Sequence, residues 1–323
     1  MAITNNSDVR IYDTVAQTAY LEHMQDVLDV FNQKSNGAII LRSEALPGDF
    51  EKSAVYKIGG DIEHRDVNRI DEVVPKSIGT DESVGVKVPW KYGPYESTEE
   101  AFKRRGRSLD EFYTLLGRDV AEATMRGYIG HSFAALAAAI GANADLVATG
   151  SFQKDHKKLL TKGLRKFGDR RDNIAVFAMD SSTYSDLVDD AIDEKIFEET
   201  GIVVYGGLPG TLGKPVLVSD KIPENQIFGL QAGAIEITES QAPGFRSYEN
   251  NTRENLVIGY RAEGTFNLKL LGYSWNTNGT TPAPANPTLA QLSSGANWYK
   301  YSLDNKSTAG VLINVTSQVA PAA

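Results

Sequence analysis

The chain has 323 residues, 41% of them hydrophobic and 23% charged, with a formal net charge of −9; this is an ordinary globular balance, enough for one large domain or two modest ones. It contains no cysteine, which excludes disulfides and thiolate metal sites and points to an intracellular folding compartment. The acidity argues against a dedicated nucleic-acid binder, whose domain carries a basic face.

The first residues, MAITNNSDVRIYDT, have neither the positive nor the apolar region of a signal peptide. Apolar residues at Val15, Ala19, Met24, Val27, Leu28 and Phe31 then recur at helical spacing, which predicts a helix over Val15–Phe31. Gly37 suits a stop after it, and AIILR reads as a short strand. From residue 47 to about 97, Pro, Gly and acidic residues punctuate the β-like runs AVYKIGG, RIDEVV and VGVKVPW, and Val84, Val86 and Val88 alternate with period two. A two-stranded excursion of this kind is only marginally stable in water and must lie on something else.

The longest helix is predicted over residues 108 to about 140. Ser108 and Glu111 form a capping box, followed by Leu109, Phe112, Leu115, Leu116, Ala123, Ile129, Phe133, Leu136 and Ile140 as the expected apolar face. Gly117, Gly127 and Gly130 interrupt it, each costing about 1 kcal/mol against alanine, so the helix needs tertiary support. Its apolar stretch Ser132–Ala144 runs about 13 residues, against the roughly 20 that a membrane span requires, and a soluble protein is expected.

Residues 145 to about 230 read as a compact α/β unit: a basic amphipathic helix over Gln153–Phe167, a buried strand Ile174–Met179, a helix Ser181–Asp193 with serines suited to capping, and strands Ile202–Tyr205 and Lys214–Val218 around the turn Gly206-Gly-Leu-Pro-Gly210. Strands Ala234–Glu239 and Glu254–Leu271 follow; Gly259 and Gly264 in the second mark a bulge or a close backbone approach. The stretch NTNGTTPAPANPT reads as a linker that cannot form a core, before the strand-like runs NWYKYSL and AGVLINV.

The segments NIAVFAMDSSTYSDLV and GIVVYGGLPGTLGKPVLVSDKIPENQIFGLQAGAIEITESQAP resemble the A-domain of tailed-phage major capsid proteins of the Hong Kong 97-type fold. The resemblance covers about residues 20–273 and is a succession of segments, not an invariant signature. It implies an α+β fold with an N-terminal arm (1–46), an E-loop hairpin (47–97) laid across an adjacent subunit, a P-domain whose spine helix falls in 98–145 and packs on a long sheet, an A-domain (146–230) with its tip at the five- and six-fold axes, and return strands (231–273). Residues 274–323 are then a linker and C-terminal β segment. The implied function is a major capsid protein that self-assembles into hexamers and pentamers of an icosahedral head around double-stranded DNA. The implied partners are scaffold, portal and possible decoration proteins, with DNA touched non-specifically at most and no membrane. The location is the virion, after assembly in the host cytoplasm. Two rival readings are an encapsulin-type bacterial nanocompartment shell and an α/β enzyme with its site at the Gly206–Gly213 turn.

Nothing in the sequence calls for catalysis, a cofactor or a metal, and no enzyme is expected. The turn Gly207–Pro215 superficially suggests a phosphate loop, but five residues separate its outer glycines and Pro215 stands where a hydroxyl would hold magnesium. His23, His64, His131 and His156 have no ligand spacing. Asp189-Asp190 and Glu198-Glu199 lie on polar stretches that read as a solvated face. Two basic clusters, Lys103–Arg107 and Lys154–Arg171, could meet nucleic acid, solvent or acidic stretches of neighbouring subunits such as Glu51, Asp61, Glu63 and Asp66. The overall acidity favours the last, where complementary charge fixes register. Some members of the resembled family crosslink subunits through lysine and asparagine; no motif aligns Lys57, Lys76 or Lys87 with that lysine.

Overall fold

The structure is a computed structural model that describes residues 15–24, 35–60, 62–68, 70, 72, 75–105, 109–155, 158–193, 213–278 and 281–316. The strands, in chain order, are β1 (Ile39–Ser43), β2 (Phe50–Lys57), β3 (Gly79–Thr98), β4 (Val147–Gly150), β5 (Ile174–Met179), β6 (Val216–Val218), β7 (Gln226–Gln231), β8 (Ile235–Asn250), β9 (Val257–Leu270), β10 (Tyr273–Trp275), β11 (Trp298–Lys300) and β12 (Gly310–Val315). The helices are α1 (residues 15–24), α2 (Glu99–Arg105), α3 (Leu109–Gly141), α4 (Phe152–Asp155), α5 (Lys158–Leu164), α6 (Ser181–Asp193) and α7 (Leu289–Leu292).

Two sheets carry the fold. The first runs β1-β8-β9-β10-β11, with β3 also pairing on β9 and β2 pairing on β3; the second runs β4-β12-β7-β5-β6. Two rings lie over glycines of β9, one from β8 and one from β3. Tyr248 faces Gly259 and Trp90 faces Gly264 across their ladders, and a Cβ on either glycine would fall within 2.6 Å of the opposing ring. These glycines mark close approach, and the ladder irregularities lie elsewhere, at Tyr92/Tyr95 and between Glu239 and Gly244. β8 also runs past the expected Glu239 end to Asn250.

The spine helix α3 has 33 residues, about 50 Å of helix. Its buried face runs through Tyr113, Val120, Ala121, Met125, Tyr128, Phe133, Leu136 and Ile140. That corrects the expected face at its start: Leu115 is 48% exposed, and Phe112, Leu116 and Ile129 are half-buried. The helix carries apolar side chains on more than one stripe, and the stripe that meets the sheet is the one whose tyrosines pack on Tyr260 and Phe266. Ser108 of the expected capping box lies outside the described residues, as do residues 25–31 of the expected arm helix.

Other expectations are redrawn. The described residues of Gln153–Phe167 are helical in α4 and α5 and pass into a 3₁₀ stretch at Arg165–Asn173; just past Phe167, Gly168 takes a φ of 57°, where a right-handed helix cannot continue. Helix α6 has the expected bounds, but its cap is Asp180, whose carboxylate accepts from the backbone N–H of Ser182 at 3.1 Å and of Thr183 at 3.4 Å. Burial opposes ionisation of Asp180, yet these bonds and those of the Ser182 and Thr183 hydroxyls hold its carboxyl below the usual range. The run RIDEVV shows no strand at its described residues 70 and 72.

The largest correction concerns the C-terminal segment. Residues 276–288, expected as a linker, fold against the body: Ala283 is buried, and the Trp275 indole donates to the Pro284 carbonyl at 3.2 Å. Thr288 and Gln291 form a capping box at α7. β12 is an inner strand of the second sheet, parallel to β4 and antiparallel to β7. Prolines and short polar residues do not bar packing when two tryptophans supply the apolar area, and the Trp275 and Trp298 rings meet edge-on at 4.9 Å.

Candidate assembly surfaces

The β2–β3 hairpin has a folded root and an uncovered tip. β3 pairs with β9 from Val86 onward, whereas residues 79–85 pair only with β2. Ser83 through Val88 are buried on both faces, so the Val84, Val86, Val88 alternation belongs to the core. At the root Asp81 accepts from Lys57 at 2.6 Å and from the Tyr299 hydroxyl at 3.1 Å. Burial works against the Asp81 charge, and these bonds together with the Glu82 N–H overcome it and hold the carboxyl below its usual range. Beyond the root the order reverses: Ile62 is 103%, Val67 78% and Ile70 98% exposed, and Tyr56, Ile58 and Ile78 are also exposed. The subunit by itself leaves these apolar side chains in water.

The N-terminal arm is docked by close approach and one buried acid. A Cβ on Gly117 of α3 would lie 2.4 Å from the Ala16 carbonyl oxygen, so only glycine lets α1 lie this near. Tyr20 of α1 donates to Glu239 of β8 at 2.8 Å, and Tyr128 of α3 donates to the same oxygen at 3.4 Å. Burial raises the Glu239 carboxyl above its usual range, the two tyrosine bonds only partly offsetting it. Burial first, then the neighbouring ionisable groups, also pushes the Tyr20 and Tyr128 hydroxyls far up. Sequence reading missed this junction: Glu239 shares β8 with Glu236, Thr238, Ser240 and Glu249, so nothing in the sequence sets it apart.

The polar residues singled out from sequence are scattered. His23 lies 3.8 Å from Glu122, His131 contacts the Gly127 carbonyl at 2.6 Å, and His64 is exposed; His156 lies outside the described residues. Among the described residues no group of three His, Cys, Asp or Glu could hold a metal. Asp189 is exposed, Asp190 belongs to α6, and Glu198-Glu199 and residues 202–212, which include most of the Gly206–Gly213 turn, lie outside the described residues. Lys57 pairs with Asp81, Lys76 with Glu63, and the buried Lys87 donates to the Leu46 carbonyl at 2.6 Å.

The basic clusters find acids within the subunit. Arg104 pairs with Glu100 at 3.1 Å, Lys162 with Asp155 at 3.7 Å and Arg170 with Asp304 at 3.8 Å. The acids expected to answer them from a neighbour are engaged locally too: Glu51 accepts from Asn267 at 2.6 Å and from Lys269 at 3.3 Å. Arg165, Arg171 and Lys214 line an open cavity of about 490 Å³ with Asp172, but the Lys214 ammonium is bound to the Ile174 carbonyl and Arg171 lies 3.9 Å from Asp172.

With the projecting hairpin, the long helix over a long sheet and the second sheet in view, comparison with known proteins decides the family. A profile of the family described as major capsid protein 13-like matches residues 8–312. The chain belongs to the major capsid protein 13-like family. Comparison with curated proteins finds no match. Among solved structures, the chain is similar to one from Mycobacterium phage Bobi, with a TM-score of 0.52 at 13% identity, covering 86% of this chain and 89% of that one. A structure from Mycobacterium phage Cain gives 0.52 at 9% identity, covering 87% and 89%. The capsid of a native GTA particle gives 0.50 at 14% identity, covering 74% and 85%. At such identities the likeness shows the fold, which is the Hong Kong 97-type capsid fold. This chain is a capsid shell protein, a structural component of the virion, and it self-associates into shells. The nanocompartment and α/β-enzyme readings are not favoured.

Proposed function

We propose that this shell protein assembles into hexamers and pentamers of an icosahedral head that encloses double-stranded DNA, with assembly in the host cytoplasm and no catalytic step. In this reading residues 1–46 are the arm, 47–97 an E-loop laid over an adjacent subunit, 98–145 the spine of a P-domain, 146–230 an A-domain, and 231–273 the return strands of the A- and P-domains; scaffold and portal proteins are the expected partners. The observation that carries it is the hairpin: a root buried in the sheet and a tip whose Ile62, Val67 and Ile70 are almost fully exposed. A single subunit leaves that surface in water, while a ring of identical subunits covers it in a repeating head-to-tail contact. The net charge of −9 suits a container wall that does not adhere to phosphates. Negative-stain microscopy with light scattering of the purified chain tests the reading: capsomers, shells or tubes of several hundred kilodaltons or more are expected, and a clean monomer at high concentration refutes it.

A further inference from the structure

Residues 79–85 of β3 pair only with β2, because the ladder to β9 starts at Val86. A two-stranded ribbon leaving a sheet is free to twist and swing unless its flank is held. Here two residues hold it, both from the segment between β9 and β12. The buried Ser274 hydroxyl oxygen accepts from the Val84 N–H at 2.9 Å. The Tyr299 hydroxyl lies 3.1 Å from Asp81 Oδ1 and 3.0 Å from the Glu82 carbonyl oxygen. Leu303, though 61% exposed, lies beside the end of the root, where a Cβ on Gly59 would come within 3.1 Å of its methyl. Asp81 also holds Lys57 of β2 at 2.6 Å, so one tyrosine restrains both strands.

The holding segment is itself stiff. β10 pairs with β11 through three residue pairs, the Trp298 indole donates to the Leu292 carbonyl at 2.9 Å, and the segment continues into β12 inside the other sheet. Resting on the reading of the hairpin as an intersubunit strap, we propose that residues 272–309 form a bracket that sets the angle at which the hairpin leaves the body, with Ser274 and Tyr299 as its positioning residues, and that this angle sets the curvature of the shell. The leverage is large: eight strand residues reach about 26 Å, so a swing of about 10° at the root moves the tip by about 4–5 Å, which is enough to change what it meets on the next subunit.

The test compares Tyr299→Phe with Ser274→Ala combined, Tyr299→Phe alone, and a deletion of residues 60–77, all in the full chain. Hydrogen exchange of unassembled subunits and particle diameters by electron microscopy are the readouts. In the double variant, exchange over residues 79–85 is expected to rise about tenfold while β12 and α3 keep their protection, and particles form with a broadened range of diameters or as tubes. Tyr299→Phe, which removes one hydroxyl from a part-exposed ring, gives the same pattern several-fold weaker and serves if the double variant does not fold. Unchanged exchange at 79–85, or faster exchange with wild-type diameters, overturns the bracket. The deletion separates the two readings. If it still builds wild-type shells, the strap reading falls and the bracket with it; if it abolishes shells while the double variant builds uniform ones, the bracket alone falls.

Discussion

Replacing Ile62, Val67 and Ile70 together by serine separates folding from assembly. The three are 103%, 78% and 98% exposed, so the subunit buries almost nothing there, and its own stability should stay within about 0.5 kcal/mol of wild type, as for ordinary surface changes. Covering one such side chain is worth about 1.5–3 kcal/mol, so the three offer roughly 5–9 kcal/mol, of which a docked hairpin that buries half realises about 2–5. At about 1.4 kcal/mol per decade, each contact weakens roughly 30- to 4,000-fold. Urea unfolding of unassembled subunits and a concentration series by sedimentation velocity measure the two effects. The expected result is an unchanged unfolding midpoint with an assembly threshold raised by at least an order of magnitude. Assembly at the wild-type threshold refutes the idea that these side chains bury against a neighbour. A deletion spanning Asp61–Gly85 is a poorer experiment, because it removes Val84 from the core.

The spine helix offers a paired control: Leu136→Ala empties a fully buried site and should cost about 2–5 kcal/mol, whereas Leu115→Ala, at a half-exposed site, should leave the unfolding midpoint within about 1 kcal/mol. Gly117→Ala drives a methyl into the Ala16 carbonyl, so exchange over residues 15–24 should accelerate while the sheets stay protected. Two of the perturbed carboxylates, Glu239 and Asp81, should move stability in opposite directions with pH. Glu239 is raised, so its contribution is full below the unfolded value of about 4.3 and is lost as pH climbs through the folded value; Glu239→Gln should remove that loss and stabilise the neutral-pH protein in urea titrations. Asp81 is lowered, so its contribution is present above about 3.9 and lost as pH falls through its folded value; Asp81→Asn should weaken the protein at neutral pH and flatten the acid limb.

Sequence patterns reported best where one local rule acted alone. The long helix, the strand Ile174–Met179 and the helix Ser181–Asp193 were legible because periodicity and turn residues agreed. The phase of the spine helix was not, since apolar residues on several stripes leave the choice to tertiary packing, and Leu115 lost that choice to Tyr113 and Val120. The C-terminal segment was misread for a related reason: Pro and Thr density signals a linker, but Trp275 and Trp298 decide its fate through contacts made far along the chain. The arm junction was invisible as well, because Gly117 shows its role only when Ala16 is laid against it. The hairpin tip was legible as an excursion, and only the structure shows that the buried part begins at Ser83.

The exposed tip must also remain soluble before it finds a partner, and its sequence explains how. Between Ile58 and Ile78 the described apolar residues Ile62, Val67 and Ile70 are set apart by Glu63, His64, Arg65, Asp66 and Glu72. No two of these three are adjacent in the sequence. Lys76 is already tied to Glu63 beside Ile62. Docking against a flat apolar surface would strand those charges, which costs more than one isoleucine returns. Only a surface with apolar depressions at the same intervals and polar groups between them can accept the ribbon. Such a match is a condition on shape and register more than on stickiness. It lets many copies of one chain coexist in solution and still close on one another in a single arrangement.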